Sequence, residues 1–156
     1  MPLVSRCIYE IVKWRARRGL TREFDSFANT KTESRRRGVR GETFAYWYLR
    51  RQGYIFVARN YMARGAKGEI DLAGYDGETL AFVEVRTRTI REDQAALPEL
   101  SVTAEKQQVV ARTARRFVMK RHVKECPMRF DVVAIEEVPG QSPVVRLHNA
   151  AFYPPM

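Results

Sequence analysis

Gly68-Glu69-Ile70-Asp71-Leu72-Ala73-Gly74-Tyr75-Asp76-Gly77-Glu78-Thr79-Leu80-Ala81-Phe82-Val83-Glu84-Val85-Arg86 is the stretch on which the reading of the fold turns. Two runs of strand-forming residues, Lys67 to Tyr75 and Glu78 to Thr87, flank the pair Asp76-Gly77. Asp-Gly between alternating apolar runs is a strong hairpin signal, because a two-residue turn needs residues that tolerate positive φ. With Asp76 and Gly77 as the central residues, Tyr75 faces Glu78, Ile70 pairs with Val83, and Leu72 pairs with Ala81. Side chains alternate along a strand, so these four share one apolar face with Val85, and that face is expected to be core. The opposite face then holds Glu69, Asp71, Phe82, Glu84 and Arg86. Glu69 lies directly across from Glu84, and Asp71 is a diagonal neighbour of Glu84.

Three carboxylates on one side of one hairpin repel one another. A divalent cation resolves the conflict. Mg²⁺ is hard, prefers oxygen, and is held by one or two carboxylates completed by water and substrate phosphates. Asp71 and Glu84 are the expected ligands, with the Val85 carbonyl as a further oxygen. Arg86, two residues on, is placed to meet a scissile phosphate. The competing reading is a solvated hairpin face neutralised by Arg86 and Arg88.

On the N-terminal side of the hairpin, Phe44, Ala45, Tyr48 and Leu49 fall on one face of a helix that Gly53 ends, and Tyr54 to Ala58 reads as a strand. Glu42 precedes Ala45 by three and Leu49 by seven, at the edge of the buried face. It is either a partner of the helix N-terminal dipole or an inward-facing ligand. After the hairpin comes a polar, irregular stretch from Thr89 to Leu100. Thr103 then caps a helix running to about Arg121, with Val110, Ala114, Phe117 and Val118 as its buried stripe. Lys106 starts that stripe, either as a snorkelling side chain or as a phosphate contact. Arg129 to Glu136 and Val144 to Leu147 read as further strands. Helix, strands, helix, strand, without internal repeat, predicts an α/β fold with a mixed sheet covered by helices.

The chain has 156 residues, enough for one domain with a real core. Its 28 Lys and Arg against 18 Asp and Glu give a net charge of +10. That balance points to polyanionic partners: nucleic acid, or less often an anionic membrane surface. Cys7 and Cys126 form no CxxC pair, and His122 and His148 lack metal-ligand spacing to either, so reduced thiols are expected rather than a zinc site. Arg6, Glu10 and Lys13 interrupt the apolar residues at the start, and no run has the length of a transmembrane helix; a soluble, cytoplasmic protein without a transmembrane segment is expected. Residues 1–36 form a basic N-terminal extension, and the domain occupies residues 37–156. Val4, Ile8 and Ile11 recur at helical spacing before Lys13, Arg15, Arg17 and Arg18, and a polar linker from Asp25 to Ser34 follows. The extension is either an anchor for a membrane surface or nucleic acid, or a loosely ordered segment whose helix packs on the domain.

Taken together, Gly38-x-x-Gly41-Glu42-x-x-Ala45-x-x-Tyr48-Leu49, Gly53-Tyr54, Asn60, Gly68-Glu69-Ile70-Asp71-Leu72 and Phe82-Val83-Glu84-Val85-Arg86-Thr87-Arg88 resemble the YraN-like family, uncharacterised protein family 0102. Val102-Thr103-x-x-Lys106, Arg129-Phe130-Asp131-Val132-Val133 and His148-Asn149-Ala150-Ala151-Phe152 continue the resemblance, which spans roughly residues 38 to 152. That family is similar to Holliday-junction resolvases of the restriction-endonuclease-like, PD-(D/E)xK fold. The resemblance implies Asp71 and Glu84 as metal ligands and catalytic residues, Glu42 as the upstream acid and a further ligand, and Arg86 at the position usually held by Lys. Arg does not readily surrender a proton, so charge stabilisation of the transferring phosphate is the role left to it. Ile70 stands where the superfamily usually has Pro.

The expectation is a Mg²⁺- or Mn²⁺-dependent endonuclease acting on DNA, with branched DNA as one candidate substrate and RNA as a further one. Nucleic-acid contacts are expected at Lys106, Arg88, Arg64 and Lys67, and resolvase analogy implies a homodimer. Two alternatives stand beside it: a catalytically inactive nucleic-acid-binding module of the same fold, and a membrane-surface interaction protein.

Overall fold

Helix α1, Thr30–Arg51, is rich in Arg, a good helix former. Arg50 and Arg51 place positive charge in its last turn, where the dipole favours it. The helix stops where Gly53 takes φ +106° and Gln52 and Gly53 donate back to the Leu49 and Arg50 carbonyls. Phe44, Ala45 and Leu49 are buried, as the helical spacing predicts, and Tyr48 is half-buried. The structure of the protein is a computed structural model describing residues 3–4, 6–11, 13–14, 30–65, 67–89, 102–138 and 140–153, with backbone alone for 30–37. The helix therefore already runs through the Thr30 to Ser34 part of the expected linker, while its Asp25 to Asn29 part lies outside the described residues.

Five strands follow: β1 (Ile55–Met62), β2 (Glu69–Asp76), β3 (Thr79–Thr89), β4 (Met128–Glu137) and β5 (Val144–His148), with helix α2 (Ala104–Arg121) between β3 and β4. They form one sheet in the order β1-β2-β3-β4-β5, with β1–β2 and β2–β3 antiparallel. This is the α/β arrangement expected, compatible with a restriction-endonuclease-like fold. The predicted strand after Gly53 is longer than expected, continuing to Met62. Most of the stretch from Thr89 to Leu100 lies outside the described residues.

The hairpin forms, but in a different register. Asp76 pairs with Thr79, Tyr75 with Leu80 and Leu72 with Val83, so the two loop residues are Gly77 and Glu78. Gly77 has φ +60° and Glu78 is not among the positive-φ residues. A first loop position with positive φ is the place for glycine in a II′-type turn, whereas Asp-Gly at both central positions belongs to type I′. The shift is two residues, so the faces are kept but the partners change. Glu69 no longer opposes Glu84; it is exposed and pairs with Met62 of β1.

A second correction concerns Phe82, which was expected beside the carboxylates on the outer face. It is 1% exposed and belongs to a core with Ile70, Ala73, Leu80, Val110, Ala114 and Phe117. Every residue of β3 from Leu80 to Glu84 is buried, because a central strand is covered on both faces. The apolar set Ile70, Leu72, Ala81 and Val83 is buried as expected, and Val85 is half-buried. On α2 the stripe Val110, Ala114 and Phe117 is buried as expected, with Val118 partly buried against the same core.

By contact, the chain divides into two compact units: residues 1–53, 85–98 and 133–146, and residues 54–84, 99–132 and 147–156. In the first unit, the described residues between 3 and 14 are helical. Tyr9 is their buried residue, with its ring 5.3 Å from Phe44 and 6.0 Å from Tyr48 and the Arg51 guanidinium 4.3 Å above it. Val4 and Ile11, two of the apolar residues that recur at helical spacing, are 63% and 56% exposed. The face of α1 that receives this segment is aromatic, and a tyrosine ring gains both ring contact and a cation–π contact there. Cys7 is exposed, Cys126 is half-buried, and both are free thiols. Among the described residues no helix is long and apolar enough to cross a membrane.

In the second unit a polar network ties chain segments together. The Asp131 side chain is fully buried. It accepts from Arg129 Nε at 2.8 Å and Nη2 at 3.0 Å, from the Ala150 amide at 2.9 Å, and from the Tyr54 hydroxyl at 3.3 Å. Arg129 Nη2 also reaches Asp76 at 2.7 Å. Burial, then the neighbouring Asp131 charge, raises the Tyr54 phenol above its ordinary value of 10.0. A raised folded-state value favours the protonated phenol, so this stabilisation is complete below pH 10 and is lost as pH climbs beyond it. Arg129→Ala leaves Asp131 buried without its main counter-charge and should cost about 3 kcal/mol in urea unfolding. In ultraviolet titration of the folded protein, the Tyr54 transition should be the late one that Tyr54→Phe removes.

Candidate functional site

Leu72 and Val83 are partners across β2 and β3, and the next residues along the two strands are Asp71 and Glu84. Both are buried, at 7% and 5% exposed. Two carboxylates withdrawn from water at neighbouring positions carry both a desolvation cost and mutual repulsion. Lys106 addresses part of this: its Nζ lies 3.2 Å from Glu84 Oε1.

The local sequence fixes where Lys106 can be. Thr103 caps α2 by accepting from the Lys106 amide at 3.3 Å, and Gln107 Nε2 donates to the Val102 carbonyl at 2.8 Å. Val102 is itself buried in the core, so the first turn of the helix is anchored. Lys106 sits in that turn and reaches inward to Glu84. The ammonium thus ends on a buried carboxylate while the side chain stays partly exposed.

Glu42, Arg86 and Arg88 belong to the first unit. Glu42 and Arg88 are half-buried, and Arg86 is exposed. Gly41 explains one motif position directly: a Cβ there would collide with the Thr87 side chain, so α1 and β3 approach at a point only glycine allows. The helical turn bearing Glu42 thus lies against the β3 segment bearing Arg86 and Arg88.

Among the described residues no three or more His, Cys, Asp and Glu side chains gather as a ligand set. The candidate is therefore a pair, Asp71 and Glu84, rather than the larger cluster the first register implied. Arg64 and Lys67 are exposed. Lys67 borders a cleft with Arg112 and Arg116, and the Arg64 carbonyl accepts from Arg116 Nη1 at 3.1 Å. Arg112 and Arg116 were missed in the sequence, although their four-residue spacing on one helix was visible. The Tyr54–Arg129–Asp131 network was also missed. Its clue was a carboxylate inside the otherwise apolar run Phe130 to Ile135.

The five-stranded sheet with its flanking helices defines an α/β protein whose architecture is compatible with the restriction-endonuclease-like fold. The chain belongs to Uncharacterised protein family UPF0102, whose model matches residues 41–135. A UPF0102 protein of Geobacter sulfurreducens is 38% identical over 115 residues, covering 74% of this chain and 87% of the relative. One from Symbiobacterium thermophilum is 42% identical over 120 residues, covering 77% and 98%. One from Koribacter versatilis is 40% identical over 98 residues, covering 63% and 66%.

The Gly41–Thr87 contact is open to a mutational cycle. Gly41→Val should destabilise by about 3 kcal/mol through overpacking. Adding Thr87→Ala should recover part of that loss, and the coupling is read from denaturant midpoints of the two single variants and the double.

Proposed function

We propose that this protein binds nucleic acid and hydrolyses phosphodiester bonds in DNA with the help of Mg²⁺ or Mn²⁺. The observation that carries this reading is the Asp71–Glu84 pair, buried at neighbouring positions of two paired strands with Lys106 3.2 Å from Glu84. The donor chemistry fits a hard divalent ion, which needs only one or two carboxylates when water and phosphate complete its shell. Asp71 and Glu84 would hold it, and such an ion supplies Lewis acidity toward phosphate and water. The ordered polar groups around Glu84 do the rest. Lys106 keeps positive charge beside the carboxylate pair, where negative charge builds on the phosphate during transfer. Arg86 follows Glu84 by two residues and brings a permanently charged, forked donor suited to phosphate oxygens. The net charge of +10 draws the polyanion in.

A specific observation favours a second role for the N-terminal segment. Leu3, Val4, Ile11 and Trp14 are all more than half exposed on a helical stretch followed by Arg15, Arg17 and Arg18 in sequence. Apolar residues beside basic ones suit an anionic membrane surface. Sedimentation with anionic vesicles, with and without residues 1–36, tests it; equal pelleting of both forms ends that reading.

Asp71→Asn and Glu84→Gln keep shape and remove charge. Each should abolish cleavage of a panel of linear, flapped and four-way DNA and lower metal affinity in calorimetry at least ten-fold, with DNA binding kept. Arg86→Lys tests the third position: retained or raised activity assigns it a general charge role, and lowered activity assigns it forked contact with phosphate. A wild-type protein that binds no metal and cuts no substrate overturns the catalytic reading and leaves a binding module.

A further inference from the structure

On α2, Glu105, Val109, Arg112, Thr113 and Arg116 recur at helical spacing and form one stripe, distinct from the Val110–Ala114–Phe117 stripe that enters the core. Together with Gly65 and Lys67 this stripe lines a cleft of about 590 Å³. Three cations and one carboxylate border it. Val109 and Thr113 press against the backbone at Gly68: a Cβ at Gly68 would collide with Val109, and Thr113 Oγ1 sits 3.5 Å from the Gly68 carbonyl. The cleft floor is thus tied to the residue that enters β2, and Asp71 lies three residues further, about 10 Å along an extended strand.

Both arginines are partly oriented. Arg116 Nη1 holds the Arg64 carbonyl at 3.1 Å, and Arg112 Nε lies 3.4 Å from the Gln108 carbonyl. A guanidinium has five donors, so each keeps several for a ligand. From Lys106 to Arg116 the helix rises about 15 Å. That rise exceeds the spacing of neighbouring phosphates on one strand, so the helix can meet more than one of them.

We infer that the cleft lined by Lys67, Arg112 and Arg116 is a phosphodiester-backbone subsite that seats a nucleic-acid strand leading to Asp71 and Glu84. The inference rests on the proposed reading of the carboxylate pair for its direction, but the subsite itself binds without catalysis. Backbone phosphates are the ligand, so DNA and RNA strands share the chemistry.

The test is fluorescence anisotropy with short labelled DNA and RNA strands of one sequence, in chelator and across a salt series, using the full chain. Arg112→Ala/Arg116→Ala should weaken binding on the order of ten-fold and lower the slope of log affinity against log salt by about two. Arg112→Lys/Arg116→Lys should restore the slope. Arg115→Ala/Lys124→Ala removes the same charge outside the cleft and should leave most of the affinity in place. Circular dichroism confirms that each variant is folded. A wild-type slope in the Arg112/Arg116 alanine variant, equal losses in the Arg115/Lys124 control, or a wild-type protein that binds neither strand overturns the subsite. Loss on DNA, RNA or both supports it. Because chelator is present throughout, failure of metal binding or cleavage overturns the catalytic reading and leaves this result standing.

Discussion

Asp131 is a fully buried carboxylate, and the second unit is organised around keeping it satisfied. An ionised group withdrawn from water is tolerable only when paired and hydrogen-bonded. Arg129 supplies the charge, while Tyr54, just before β1, and Ala150, just after β5, supply further donors. Through Arg129 the network also reaches Asp76, the last residue of β2. Asp71 is five residues away on that strand, about 17 Å. The turn end of the hairpin is thus clamped by one set of charges while the other end carries the candidate site. Aromatic packing runs alongside: Phe130 stacks on Phe82 and Phe152 at 5.6 and 5.1 Å, and the Ala151 amide bonds the Phe130 carbonyl. The motif residues around Arg129 and Asn149 thereby acquire a structural meaning separate from the carboxylate pair.

Helix α2 is divided by function around its circumference. One stripe fills the core, another faces the cationic cleft, and Lys106 in the first turn reaches Glu84. A helix has 3.6 residues per turn, so residues three and four apart share a face while their immediate neighbours do not. The sequence Val109-Val110-Ala111-Arg112-Thr113-Ala114-Arg115-Arg116 therefore encodes two surfaces at once, and any slip of the helix start would exchange them. The Thr103 cap and buried Val102 prevent that slip.

What was legible in the sequence follows the strength of local signals. The second helix was read from its Thr103 cap to its Arg121 end because cap, apolar period and length agree. The α/β order and the pairing of two acidic strands were legible from alternation. The register was not, because Asp-Gly fits two turn types and only the backbone at Gly77 and Glu78 distinguishes them. Phe82 was misplaced because alternation assumes one wet face, whereas β3 is covered on both sides from Leu80 to Glu84. Tyr9 escaped notice because its burial depends on a distant aromatic patch on α1 rather than on its own neighbours. The cationic cleft requires Lys67 and α2 to be brought side by side, which no local pattern reveals.

Among the described residues, β1 and β5 are the edges of the sheet, and each leaves one row of backbone groups without a strand partner there. Such rows are templates for strand-by-strand growth into ordered aggregates. Here β1 breaks its regularity between Phe56 and Ala58, carries Arg59, and bends again at Asn60, where φ is +47°. At the other edge β5 has only five residues, and its Arg146 is engaged with Glu136 at 2.7 Å. An irregular edge and a very short one both offer poor templates for amyloid-type stacking.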